Sequence, residues 1–312
     1  MIVALAGGVG GAKLAFGLQA VCSPDELLVV VNTGDDFEHL GLTICPDLDT
    51  VNYTLSGRSN RETGWGLSGE SWNCLSALET LGAETWFRLG DRDLATHLER
   101  TRRLREGQSL SDVTHWLSTQ LGVRARVIPM SDDPVRTIVN TPDGALAFQD
   151  YFVRRQCEPT VLDFEFRGAS AATPHPHLLE ALASDRLNAT VICPSNPYLS
   201  IAPMLAIPGI RDALIASKAP VVAVSPIVGG QAIKGPAAKI MQELKVDPSP
   251  AGIAAHYGTL LNGLVVDDLD AETIAASDWP ADLARLSTDT IMRDDADRTR
   301  LATQVIDFAR GL

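Results

Sequence analysis

The chain has 312 residues, of which 45% are hydrophobic and 21% charged, with a net charge of -13 and a pI near 4.8. That length supports one large α/β domain or two modest ones around a sizeable core, and that charge argues against non-specific attraction to nucleic acid or to an anionic membrane surface. An anionic substrate therefore needs a local basic pocket or a metal ion.

The run Ile2–Ala6 is apolar throughout and bounded by glycine, the pattern of a buried strand, and the apolar spacing after Lys13 predicts a helix. Between them stands Gly7-Gly8-Val9-Gly10-Gly11-Ala12-Lys13. Glycine lets the backbone turn sharply and lets an anion approach the N–H groups at a helix start, so a phosphate is the expected guest of Gly8, Gly10, Gly11 and Lys13. The loop is neither a dinucleotide fingerprint, which would have a third small residue at Lys13, nor a P-loop, which would have Ser or Thr after the lysine.

Leu27–Val31 is the second strand, and it ends in Asn32-Thr33-Gly34-Asp35-Asp36-Phe37-Glu38-His39. In a doubly wound sheet the carboxyl ends of the strands face one crevice, which sets this acidic loop beside the glycine loop. Carboxylates repel phosphate unless a cation lies between, so Asp35 and Asp36 are candidate Mg²⁺ ligands; a solvated turn capped by Asp35 is the simpler alternative. Asp47 or Asp49 caps a helix running to Leu55.

The stretch 56–72 breaks every periodicity, and its Trp65, flanked by Gly64 and Gly66 with Trp72 nearby, offers an aromatic face to a flat ring. A helix over 71–81 leads to Trp86-Phe87-Arg88-Leu89-Gly90-Asp91, read as a short strand ending at the same crevice, which makes Arg88 a candidate ligand clamp. The segment 91–121 is helical, with its Arg and Glu on a solvated face. Strands are expected at 124–129, 137–140, 145–153 and 161–166, with a hairpin turn at Pro142-Asp143-Gly144. The sheet resumes at 190–193, before Pro194-Ser195-Asn196, and at 220–224, before the loop that holds Gly229, Gly230, Lys234 and Gly235. Lys234 stands before a helix at 237–244, a second cation at a helix start and suited to a diphosphate. Turn chemistry alone is the alternative for Ser195 and Asn196.

A strand at 263–266 and a helix at 296–308 complete the scaffold. The expected fold is α/β: a Rossmann-like doubly wound, mostly parallel sheet over 1–90 and 186–312, with a smaller inserted α/β portion over 91–185. The five cysteines are odd in number and show no zinc or Cys-x-x-Cys spacing. With neither a signal-like nor a membrane-length apolar segment, they suggest buried thiols in a cytoplasmic protein.

The glycine loop with Lys13, Val31-Asn32-Thr33-Gly34-Asp35-Asp36, Cys45-Pro46-Asp47-Leu48-Asp49-Thr50, Gly64-Trp65-Gly66, Ser195-Asn196-Pro197 and Ser225-Pro226-Ile227-Val228-Gly229-Gly230 together resemble the 2-phospho-L-lactate transferase family over nearly the full chain. The resemblance implies a transferase of coenzyme F-420 biosynthesis. Such an enzyme moves a phosphorylated three-carbon acid from its guanosine diphosphate conjugate to the ribityl hydroxyl of 7,8-didemethyl-8-hydroxy-5-deazariboflavin, releasing GMP with Mg²⁺; the acid is lactyl, enolpyruvyl or glyceryl. It implies that Asp49 and Arg88 hold the deazaflavin, Asp49 also serving as base. The glycine loop with Lys13, Ser195 with Asn196, and the 229–235 loop would hold the guanosine diphosphate portion, with Asp35 and Asp36 on the metal, Asp47 in reserve, and a homodimer as the assembly. A non-catalytic nucleotide-sugar-binding regulator of carbon and cell-wall metabolism is the alternative; it would need no deazaflavin site. A Rossmann-type oxidoreductase fits less well, because the third glycine is missing.

Overall fold

Alternation along the first strands decides where the core lies. In β1 (Ile2–Ala6) and β2 (Leu27–Val31) every residue is buried. Val3, Leu5, Leu28 and Val30 join one apolar cluster, whereas Ile2, Ala4, Ala6, Leu27, Val29 and Val31 join another. Successive side chains point to opposite faces, so a strand that is apolar at every position needs a covering layer on both sides, which is the parallel α/β arrangement.

The computed structural model describes residues 1–233, 235–275 and 279–312. After β2 come the hairpin strands β3 (Phe37–His39) and β4 (Leu42–Ile44), then β5 (Arg126–Pro129), β6 (Arg136–Thr141), β7 (Gly144–Ala147) and β8 (Asp163–Arg167). The remaining strands are β9 (Ala189–Ile192), β10 (Val221–Val224), β11 (Ile227–Val228), β12 (Gln231–Ala232), β13 (Gly263–Asp267) and β14 (Ala284–Thr288). The central sheet has seven strands in the order β14-β13-β10-β9-β1-β2-β5, every neighbour parallel. The strand order reverses between β1 and β9, the topological switch at which such sheets bind ligands. The expected doubly wound fold is present, and no single described helix is long and apolar enough to cross a membrane.

Several local expectations change. The strand at 126–129 pairs with β2 in the central sheet, so the division at 91 and 185 does not follow the sheets. The smaller sheet is β7-β6-β8, antiparallel throughout, with Pro142 and Asp143 as the turn between β6 and β7. The segment expected as a strand at 145–153 leaves β7 after Ala147 and turns helical over Asp150–Arg154. Residues 86–91 form no strand, because the Trp86 and Phe87 rings pack onto the β3–β4 hairpin instead of lining up beside a sheet.

Five α-helices precede β5: α1 (Gly8–Val21), α2 (Pro46–Leu55), α3 (Asn73–Thr80), α4 (Asp91–Arg105) and α5 (Leu110–Leu121). The helical stretch expected over 91–121 breaks because Ser109 caps α5, in a reciprocal capping box with Asp112. At the other end of the chain, the helix Asp295–Arg310 packs along α1.

The approach of these two helices rests on Gly17, where an added Cβ would overlap the Arg298 carbonyl oxygen and lie 3.1 Å from the Ala302 Cβ. In an open helix Gly→Ala stabilises by about 1 kcal/mol, but forcing a methyl against a backbone oxygen typically costs about 1–3 kcal/mol. Gly17→Ala is therefore expected to lower the thermal midpoint in a denaturation scan. A raised midpoint would show that the helices are not in close contact at this position.

Candidate functional site

Two loops close on each other at the switch. The chain leaves β1 at Gly7 and enters α1 at Gly8, with no side-chain cap and no acidic residue in the first helical turn. It leaves β9 through Cys193, Pro194 and Ser195. The Ser195 Oγ accepts from Gly7 N–H at 3.1 Å and donates to the Gly7 carbonyl at 2.9 Å. Gly10 and Gly11 are the close-approach residues: a Cβ on Gly10 would overlap the Pro194 carbonyl oxygen, and one on Gly11 would lie 2.5 Å from Ser195 Oγ. The expected meeting of the glycine loop with Ser195 is thus present, and the hydroxyl of Ser195 serves as the strut between them. Asn196 caps the next helical turn, its Oδ1 accepting from Tyr198 and Leu199 N–H, while its buried Nδ2 has no partner.

The acidic residues gather against the start of α1. Asn32, just past β2, donates from Nδ2 to Asp35 Oδ1 at 3.2 Å and to Asp47 Oδ2 at 3.0 Å, while its Oδ1 accepts from Gly34 N–H. Asp47, in the first turn of α2, accepts from Gly8 N–H at 2.6 Å. Asp35, Asp36 and Asp47 are all buried. Burial pushes Asp35 well above the ordinary carboxyl range, with the charges of Asp47 and Asp36 adding to it. Burial likewise raises Asp36 to about 7 and Asp47 to about 6. Asp36 takes a hydrogen bond from the Cys45 thiol, and its Oδ1 is buried without a partner. Buried carboxylates of this kind, one of them raised further by the charges of its neighbours, suit a hard, oxygen-preferring cation. Asp35 and Asp47, joined through Asn32, offer the oxygen donors that such a cation would take, while Asp36 accepts from the Cys45 thiol.

Asp49, two residues further along α2, sits in a separate network. Both of its oxygens are engaged by the guanidinium of the fully buried Arg100 on α4, with His97 Nδ1 at 3.7 Å. Burial opposes the Arg100 charge, and the Asp49 carboxylate outweighs it, so the guanidinium pKa is raised. Asp93 completes the group: it accepts from the Tyr53 hydroxyl at 2.6 Å and lies 3.3 Å from His97 Nε2. Asp49, Asp93 and His97 bring ligand-type atoms together, and of the two carboxylates Asp49 is already paired with Arg100. The expected base is therefore engaged by a guanidinium.

The remaining expected residues are scattered. Trp65 is exposed in a loop closed by backbone bonds that join Asn60 to Gly64 and to Gly66. Arg88 lies 4.6 Å over the Trp72 ring. Lys13, in the second turn of α1, donates to the Met292 carbonyl at 2.8 Å. Gly229 and Gly230 form the turn of the β11–β12 hairpin, and their N–H groups meet the Asp270 carboxylate instead of an open crevice. Gly235 lines a surface pocket of about 620 Å³ with Phe152, Cys157 and Lys239. Lys234 lies outside the described residues.

Sequence reasoning missed the main aromatic surface. Phe37 and His39 on β3 pack with Trp86 and Phe87: the Phe37 and Phe87 rings meet edge-on at 4.8 Å, and His39 and Trp86 at 5.3 Å. The Arg154 guanidinium covers Trp86 at 4.8 Å. The signal was the adjacent Trp86 and Phe87 together with Phe37 directly after the acidic pair, residues that only the hairpin brings together.

The model of the family described as 2-phospho-L-lactate transferase CofD matches residues 2–306. A Kitasatospora aureofaciens protein named phosphoenolpyruvate transferase is 42% identical, the match covering 96% of this chain and 97% of that protein. A Methanococcoides burtonii protein named 2-phospho-L-lactate transferase is 43% identical over 86% of this chain and 87% of its own length. A crystal structure of a UPF0052-family protein from Bacillus halodurans superposes with a TM-score of 0.61 at 17% identity, covering 98% of both chains, a likeness of fold.

The carboxylate cluster carries a stability signature. Unfolded, these groups titrate near 3.8; folded, Asp47 and Asp36 hold their protons to about 6 and about 7. The folded state binds more protons than the unfolded state between those limits, so without metal its stability falls as pH rises through that window. In chelator, Asp35→Asn is expected to raise the melting temperature at about pH 8, with the gain fading toward about pH 4. Mg²⁺ should then raise the wild-type midpoint at the higher pH more than that of the variant. Identical melting temperatures for the two proteins in chelator at the higher pH would show that no unfavourable charge resides at Asp35.

Proposed function

The chain belongs to the 2-phospho-L-lactate transferase family, and from that premise we propose that it moves a phosphorylated three-carbon acid from a guanosine diphosphate conjugate onto the ribityl hydroxyl of 8-hydroxy-5-deazariboflavin, releasing GMP. It is a transferase of the phosphoenolpyruvate or 2-phospholactate type in coenzyme F-420 biosynthesis. The observation that carries the finer reading is the contact of Asp47 with the Gly8 amide at 2.6 Å. It sets a buried carboxylate pair against a helix start, the two features that a cation-bridged diphosphate uses.

In this reaction the acceptor oxygen forms a bond to the phosphorus that carries the acid, the bond from that phosphorus to the GMP oxygen breaks, and the hydroxyl proton passes to a carboxylate. The first turn of α1 supplies partial positive charge to the diphosphate. Asp35 and Asp47 would hold Mg²⁺, which when bound neutralises charge developing on the phosphate oxygens. With Asp49 tied to Arg100, Asp36 is the better proton acceptor: its Oδ1 has no partner, and burial raises its pKa to about 7, a value suited to a general base near neutral pH. The Phe37, Trp86 and Phe87 rings, beginning one residue after Asp36, offer the flat acceptor a stacking surface.

The test mixes purified protein, deazaflavin, Mg²⁺ and each of the three guanylylated acids, and identifies products by mass. A phosphodiester-linked product together with GMP is expected for one acid or more, and no product from any of them would overturn the reading. Asp36→Asn should lower kcat by about a hundred- to ten-thousandfold while both substrates still bind. Trp86→Ala should weaken the acceptor by about 1–3 kcal/mol, the scale of one stacked ring, and leave guanosine diphosphate binding unchanged. Isothermal titration with each ligand separates these outcomes.

A further inference from the structure

The small sheet is fastened to the acidic loop at one place. Thr137 N–H on β6 donates to the Gly34 carbonyl at 2.6 Å, and Gln149 Nε2 donates to the Asp35 carbonyl at 3.2 Å. Gly34 leaves no room for a side chain, since a Cβ there would lie 2.8 Å from Thr137 Oγ1. The residue before Thr137 is Arg136, half-buried at the start of β6. Its charge acts on both Asp35 and Asp36, yet it forms no ion pair with any described carboxylate. Its Nη1 donates to the Val135 carbonyl at 2.7 Å, which leaves most of a five-donor guanidinium uncommitted.

Among the described residues, the other candidate cations are engaged. Arg100 is bound at both nitrogens by Asp49, Arg88 lies over Trp72, Lys13 is on the Met292 carbonyl, and Arg154 pairs with Glu84. Three buried polar atoms at the same junction have no partner: Thr33 Oγ1, Asp36 Oδ1 and Thr137 Oγ1. An anionic donor lying across this loop has the helix start and a cation for its diphosphate. Its acid end needs a separate positive group, and a planar guanidinium fork matches a carboxylate.

Building on the transfer reading above, we propose that Arg136 binds the carboxylate of the three-carbon acid carried by the donor, so that the small sheet supplies the acid-recognising side of the site. All three candidate acids keep that carboxylate. The contact therefore selects for an acid over a neutral analogue and leaves the choice among the three to the surroundings of the carbon chain.

The experiment compares the wild type with Arg136→Gln and Arg136→Lys, each given the guanylylated acid and its carboxamide, with GMP release as the readout and guanosine diphosphate and deazaflavin affinities measured in parallel. Arg136→Gln is expected to raise the donor KM about ten- to a hundredfold, the range for losing a charge-assisted contact, and to abolish the preference for acid over carboxamide. The lysine variant should keep part of that preference, and both parallel affinities should stay at wild-type level. A preference that survives in Arg136→Gln overturns the proposal, as does an equal loss of guanosine diphosphate affinity, which would place Arg136 on the diphosphate. If the wild type turns over neither donor, the transfer reading fails and takes this inference with it; wild-type turnover with an unaltered Arg136→Gln overturns this inference alone.

Discussion

The amide of Asn32 holds together what electrostatics would separate. It reaches Asp35 and Asp47 from the end of β2, while Asp47 reaches the first amide of α1. One uncharged side chain thereby ties the acidic loop to α2, and α2 to the glycine loop. Two carboxylates confined out of water repel each other and resist ionisation, so the arrangement persists only because the surrounding elements over-determine it. The Ser195 strut, the packing of Gly10 and Gly11 on the Pro194–Ser195 loop, and the clamp of Thr137 on Gly34 supply that constraint. Strain of this kind is typical of sites that await a cation or a proton.

A second charged group does a different task. Arg100 fastens α4 to α2 through Asp49, and its neighbour Thr101 accepts from the Thr43 N–H of the hairpin at 2.8 Å. Buried ion pairs add little net stability, but removing one partner leaves an uncompensated charge and is costly. The pair therefore acts as a locator for the hairpin that carries Phe37 and His39. Of the two carboxylates in the first turn of α2, Asp47 faces the glycine loop and Asp49 faces α4, because residues two apart on a helix point in different directions.

β1, β2 and β10 were legible because they are apolar at every position and lead into glycine- or proline-containing loops, signals that do not depend on distant residues, whereas the edge strand β14, with Arg285 and Ser287 within it, was not. The same locality made the glycine loop, Ser195 and the acidic pair readable as one crevice. What could not be read was the partner of each polar group. Asp49 looked available until Arg100, fifty-one positions away, took both of its oxygens. Gly229 and Gly230 carry the glycine signature of a phosphate loop and of a tight hairpin turn equally well, and Asp270 decides between them. The strand expected at 86–91 failed for a related reason: its aromatic content is right for a sheet, but the rings are spent on the β3–β4 hairpin.

Because β1 lies between β2 and β9, residues 2–6 find one neighbour within thirty positions and the other only at 189–192. At a synthesis rate of about 5–20 residues per second, one edge of β1 stays open for roughly ten to forty seconds after it emerges. During that interval a wholly apolar strand presents unpaired backbone groups, and the glycine loop lacks its Ser195 strut. The nascent chain thus carries an unpaired apolar edge through that interval, and the crevice is completed only after the small sheet has emerged. Shielding of that edge during translation is a demand built into the strand order itself.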